Sequence, residues 1–193
     1  MVFLSLEHSK AAYRADFAFY GTAIVALAVW SVADTPVGQR WTAGLLTVLG
    51  MGLWTLAEYL LHRFVLHGLP PFKKWHALHH ARPAALIFAP TVVAAGLIAL
   101  LVFLPAWASL GRWCASSLTL GVLIGNTLYS ATHHAIHHWH GEWPWLLRRK
   151  RLHALHHCSD RQSCYGVTTD LWDRVFGTSN LLPLRLSATP DPS

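Results

Sequence analysis

The sequence predicts an all-α integral membrane protein: four transmembrane helices with a cytoplasmic, histidine-rich helical cap. Three observations carry this. Of 193 residues, 53% are hydrophobic and only 12% charged, with a mean hydropathy of +0.35, whereas a soluble domain carries about 25% charged residues. Four apolar runs are separated by chain breakers. Histidine is abundant, with 14 copies against 9 acids, and most copies lie in clusters that follow apolar runs.

The elements follow in order. Residues 1–16 are short, mixed and charged, and are expected to form an interfacial segment. The first span covers about 17–33, long enough to cross a bilayer of ~30 Å at ~1.5 Å per residue. Pro36 and Gly38 then make a turn. The second span covers about 42–61, with Glu58 near its end. An acid at that depth should face protein or metal rather than lipid. Gly68-Leu-Pro-Pro71 ends this helix after His67, and Phe72 to Ala81 is expected to be a short interfacial helix. Pro90 introduces a third span of about 91–110. Gly111-Arg112 is a tight turn into a fourth of about 113–132. Residues 1–178 make one membrane domain, and 179–193 a C-terminal tail.

Parity places 1–16, 62–83 and 133–193 on one side of the membrane, with every histidine cluster. Only Arg40 and Arg112 fall on the other side, so the excess of Lys and Arg marks the histidine face as cytoplasmic. The formal charge of +6 flanks apolar runs, which fits an anionic membrane surface rather than nucleic acid. Cys114, Cys158 and Cys164 form no CxxC pair and indicate neither a disulfide framework nor a zinc ribbon. Charged Lys10, Arg14 and Asp16 before the first apolar run do not resemble a cleavable signal peptide.

Histidines three or four apart project from one helix face, and neutral imidazole is a strong ligand for transition metals. His76, His79 and His80 satisfy this spacing, as do His133 with His137, and His153 with His156 and His157. His62 and His67 are five apart and converge only if the helix widens or ends between them. These ten are the expected metal ligands, too many for one ion and suited to two. His134 and His138 form a second pair on the next face, and His8 and His140 stand outside the spacing. Two ions held only by neutral imidazoles leave excess positive charge, for which Glu58, Asp170 and Asp173 are the candidate compensating acids. A membrane metal transporter and a haem-binding membrane protein are the alternatives from other functional classes. The near absence of charge within the spans disfavours the transporter.

The ordered series His62-Arg63-(x)3-His67, His76-(x)2-His79-His80, Tyr129-(x)3-His133-(x)3-His137 and His153-(x)2-His156-His157 is followed by Tyr165-Gly-Val-Thr-Thr-Asp-Leu-Trp-Asp. Together these resemble the fatty acid hydroxylase and sterol desaturase superfamily of integral-membrane histidine-box di-iron enzymes, over roughly Glu58 to Thr178. The resemblance implies an oxygen-dependent di-iron hydroxylase or desaturase acting on a lipid C–H bond, most like the branch acting on fatty acyl chains. Carotenoid and sterol-type hydroxylases are the alternatives within it. It also implies two iron ions, with zinc as a possible substitute in a preparation, O2 as co-substrate, and an external electron donor. The donor is expected to be a separate electron-transfer protein, since only about sixteen residues precede the first span. Ser130 stands where relatives often carry an acid after the tyrosine. Trp75, Trp139, Trp143, Trp145 and Trp172 could line a substrate mouth or anchor at the interface. Arg148 to Arg151 could meet lipid phosphates or an acidic donor.

Overall fold

The computed structural model describes residues 7–87, 90–158 and 163–179. Residues 180–193 of the expected tail, residues 1–6 and the side chain of Cys158 lie outside the described residues. The described chain is helical: α1 (Lys10–Asp34), α2 (Arg40–Leu60), α3 (Phe72–Ala81), α4 (Thr91–Ile98), α5 (Leu104–Leu110), α6 (Arg112–His138), α7 (Pro144–Cys158) and α8 (Leu171–Val175). Among these residues there is no strand, only an isolated bridge between Glu7 and Ile87.

Three stretches are long and apolar enough to cross a membrane: Lys10–Asp34, Val37–Leu66 and Thr91–Leu110. α1 begins well before the apolar run, because Ser9 caps it by accepting a hydrogen bond from the Ala12 N–H. Much of the expected interfacial segment is therefore helix. In the third stretch, Pro105 removes an N–H and crowds the carbonyl four residues back. The chain answers with a π-helical turn over Ala99–Phe103, in which the Leu104 N–H reaches the Ala99 carbonyl. α4, this turn and α5 thus form one continuous helical stretch, Thr91–Leu110.

α6 is the fourth long helix, and it is less apolar because it is the centre of the bundle. It packs most extensively on α2 and then on α1. It buries Ser116, Ser117, Thr119 and Asn126. Ser116 and Ser117 return their hydroxyls to the carbonyls of Arg112 and Trp113 at 3.0 and 2.9 Å, so these polar groups need no water. At the turn end of the bundle, Arg112 grips Asp34 through two N–H···O bonds of 2.9 and 2.6 Å, tying α6 to α1.

Close approach of α2 and α6 rests on paired glycines. A Cβ on Gly121 would lie 2.0 Å from the Thr47 carbonyl oxygen, and one on Gly50 would lie 2.2 Å from that of Leu118. Small residues at such crossings let helix backbones pack in the absence of a hydrophobic drive. Gly121→Ala should therefore force the helices apart at a cost of about 1–3 kcal/mol. Gly44→Ala, at a position with nothing within 4 Å, should be neutral. Equal thermal midpoints for the two variants in detergent would refute this reading of the crossing.

Candidate metal centre

The site is built where α2 and α6 end and α3 and α7 cross above them. α2 does not stop at Leu60 but widens into a π-helical turn over Leu61–Leu66, with the His67 N–H bonded to the His62 carbonyl at 3.2 Å. A five-residue repeat replaces the four-residue one, so His62 and His67 face the same way, with ring centroids 5.2 Å apart. The spacing mismatch noted in the sequence is resolved by this distortion.

Nine histidines fall into two groups: His62, His67, His76, His80 and His156, and His79, His133, His137 and His153, with the ligand nitrogens of each group within 4.8 Å of one another. In the first, Nε2 of His62 is 3.0 Å from that of His76, His80 is 2.9 Å from His76, and His67 is 3.0 Å from His156. In the second, His133 is 3.1 Å from His79, and His137 is 2.9 Å from His153. The tenth, His157, lies between the groups: its Nε2 is 3.0 Å from that of His153, and its ring stacks on His80 at 4.2 Å. His134 stays outside, bonded at 2.8 Å to the Tyr13 hydroxyl, with His138 stacked against it. His8 contacts Asp16 instead.

The donor set fits metal. Two nitrogens bound at right angles to one ion, each about 2.1 Å from it, are about 3 Å apart, which is the spacing seen. Burial lowers His67 to about 4, and His79, His156 and His157 to about 3, assisted by neighbouring imidazoles. His76, His80 and His153 are lowered as well, first by burial. Neutral imidazole is the ligand form. Without an ion, these rings would point lone pairs at one another in groups that, among the described residues, hold no carboxylate.

A closing segment sets ring orientation. The backbone carbonyl of Tyr165 accepts from His62 Nδ1 at 2.6 Å, and that of Ser163 from His156 Nδ1 at 2.9 Å. Each bond holds the proton on Nδ1 and leaves Nε2 facing the group, as metal-binding imidazoles require. In the second group, Nδ1 of His79 and of His153 has no partner among the described residues, so packing must hold those rings.

The three candidate acids do not touch the histidines. Glu58 accepts from the N–H groups of Val167 and Thr168 at 2.7 and 2.8 Å, and from the Thr168 hydroxyl at 2.5 Å. Asp173 accepts from the N–H groups of Tyr165 and Gly166, and from Thr178. Gly166 allows the tight turn, since a Cβ there would lie 2.0 Å from the Thr169 oxygen. These acids hold the segment that holds the histidines, at one remove from the expected contact. Asp170 binds Arg148, Arg149 and Arg174 instead. Burial alone would raise its carboxyl, but the three guanidinium groups hold it well below the usual range. Part of the Arg148–Arg151 run is therefore engaged within the protein.

A cavity of about 150 Å³ opens against the histidines, lined by apolar residues of α1, α3, α4 and α6, with His76, His79 and His133 at one end. Of the five tryptophans expected at a substrate mouth or the interface, Trp75 lines it. Trp139, Trp143 and Trp145 are about half exposed, and Trp172 donates to Thr55. α4 makes at most isolated close approaches to α1 and α6, while the π-helical turn at Ala99–Phe103 and α5 pack on α6. Tyr20, which lines the cavity, also packs in the buried cluster with Ile98, Val122 and Leu123. The sequence carried no signal for the two orienting carbonyls, because any residue type supplies one. Tyr13 and Asp16 were hidden in a segment expected to lie at the interface.

The sequence model of the fatty acid hydroxylase family matches residues 47–178. The chain belongs to that family. Its match takes in all ten clustered histidines and the closing segment. The family member is 35% identical over 146 residues to a dihydroceramide fatty acyl 2-hydroxylase (FAH2) of Arabidopsis thaliana, covering 70% of this chain and 60% of that protein. It is 35% identical over 150 residues to the fatty acid 2-hydroxylase of Rattus norvegicus, covering 69% of this chain and 39% of that one. The chain thus spans about 60% and 39% of the length of these two relatives. A solved structure of full-length scs7p, with only the hydroxylase domain visible, superposes with a TM-score of 0.77 at 25% identity, covering 90% of this chain and 67% of the other.

Proposed function

We propose that this chain hydroxylates a C–H bond of a fatty acyl chain in a membrane lipid, using dioxygen, two iron ions and electrons from a separate protein carrier. One observation carries the proposal: histidines of both groups, His76, His79 and His133, line a largely apolar cavity shared by α1, α3, α4 and α6. An acyl chain could lie there with one carbon against the metal-binding groups and the rest among apolar side chains that exclude water.

His62, His67, His76, His80 and His156 would hold one ion, and His79, His133, His137 and His153 the other, with His157 completing the second set. Bound iron would supply the redox chemistry that an unactivated C–H bond needs and that zinc lacks. The protein's part is to keep ten imidazoles neutral and aimed, to bury them, and to align the chain. Tyr129, stacked parallel on His133 at 5.9 Å, stiffens the wall where the reacting carbon would lie. The relatives' names specify acyl 2-hydroxylation, in one case of dihydroceramide, and we carry that position over to this chain. A haem would use only one or two axial histidines, which leaves the remaining converging rings unexplained.

We further assign α6 as a fourth span and the histidine face to the cytoplasm. Both α6 ends match the ends of the apolar helices, and the far side carries Arg40 and Arg112 against the many cations of the cap.

The test is lipid analysis of a host with and without the protein, together with metal analysis of the purified chain. Acyl lipids one oxygen heavier are expected, labelled when 18O2 is supplied. A purified protein loaded with two irons and given reductant, oxygen and acyl lipids that formed no oxygenated product would refute the proposal.

A further inference from the structure

The cavity has a polar rim that the metal chemistry does not use. Tyr13, Asp16, Phe17 and Tyr20 line it from α1 at the spacing of one helix face, and Thr91, the first residue of α4, lines it opposite. Asp16 Oδ1 accepts from the Thr91 hydroxyl, and Oδ2 lies 3.0 Å from His8 Nδ1. A carboxylate offers about four acceptor positions, so these two partners leave capacity over. The Asp16 side chain keeps 22% of its surface exposed, so a ligand can reach it. Among the described residues, no lysine or arginine lines this cavity.

The rim also has a direction. α1 and α4 both start on the side of the histidines, so Asp16 and Thr91 stand at the cap end of the cavity. Tyr20, Ala94 and Asn126 lie further along α1, α4 and α6 from the cap, with Tyr20 packed in an apolar cluster. A lipid entering between α1 and α4 would place its apolar tail among the deeper residues or out between the helices, and its head beside Asp16. An acid at that point accepts hydrogen bonds and, in surroundings of low dielectric, repels a second negative charge strongly. α1 lies outside the family match at 47–178.

We infer that Asp16 reads the head of the lipid and selects neutral acyl lipids bearing a hydrogen-bond donor beside the acyl group, an amide N–H or a hydroxyl, over free fatty acid anions. This rests on the reading of the cavity as an acyl site. Asp16 is a specificity-determining residue here, held in position by Thr91 and His8.

Binding tests this without turnover. Trp75 lines the cavity, so acyl chains brominated along the tail should quench its fluorescence, measured as the difference between the wild-type protein and Trp75→Phe in the same detergent. Three ligands of equal chain length are compared at pH 8: an N-acylethanolamine, the methyl ester and the free acid. The expected order of affinity is amide, then ester, then acid, with about tenfold or more between the ends. In Asp16→Asn the acid should gain and the range should shrink to within about threefold, while Asp16→Glu should keep the wild-type order. The inference is overturned if the wild-type protein binds the acid as tightly as the amide, or if a folded Asp16→Asn protein keeps the full range. Should Asp16→Asn fail to fold, the wild-type order of the three ligands still decides. If that order holds but no lipid is oxygenated, the proposed reaction fails and the head-reading role stands.

Discussion

Replacing His79 by alanine is expected, for the proposed two-ion centre, to lower the metal content of the purified protein from two ions per chain towards one and to abolish detectable turnover. His79 is buried and belongs to the group with fewer nitrogens, where its Nε2 lies 3.1 Å from that of His133. Removing His79 takes away the nitrogen that pairs with His133 and leaves His133, His137, His153 and the bordering His157 too open a set to retain an ion through purification. Even lesions in groups that merely orient ligands cost roughly 10- to 100-fold in affinity or activity, so loss of a ligand should exceed that. The matched control is His134→Ala. That residue neighbours a ligand in sequence but points to Tyr13, and its loss should leave metal content unchanged. Two ions per chain in His79→Ala, or a loss of metal in His134→Ala, would contradict the grouping.

The second large effect is expected from Glu58→Ala. Glu58 is 4% exposed, and its carboxylate satisfies three donors of the closing segment. Its removal strands the N–H groups of Val167 and Thr168 and the Thr168 hydroxyl, each at a cost of about 1–3 kcal/mol if left unpaired. Water entering the gap will recover part, so a net loss of about 3–5 kcal/mol is expected. As the segment loosens, the Tyr165 carbonyl leaves His62, and metal content should fall although no ligand has been touched. Glu58→Gln keeps one oxygen for the two N–H groups and places an amide beside the Thr168 hydroxyl, which can then accept. It should lose less than half as much stability. Thermal midpoint and metal content measured on the same samples check both variants. An unchanged midpoint in Glu58→Ala would show that the segment is held by something else.

The sequence showed the histidine groups clearly because helical geometry maps spacings of three and four onto one face, as at His76, His79 and His80. It showed the break at Gly68 to Pro71 because those residues cannot continue a helix. The pair His62 and His67 appeared only as a mismatch of five, since the π-helical turn that reconciles them has no residue signature. Other parts were hidden for physical reasons. Orientation of His62 and His156 depends on backbone carbonyls, which every residue has. Glu58 is a charged residue near the end of an apolar run, and its target lies more than a hundred residues away. The polarity of α6 weakens its hydropathy signal because the other helices, rather than lipid, surround it.

The order of the parts along the chain has its own consequence. Ser163 and Tyr165, whose carbonyls steer two of the imidazoles, and Glu58's partners Val167 and Thr168 all follow His157 in the sequence. During synthesis from the N-terminus, every ligand is therefore made before the segment that aims them. A nascent chain can bring its histidines together early, but the orientation of His62 and His156 waits for the stretch that follows them.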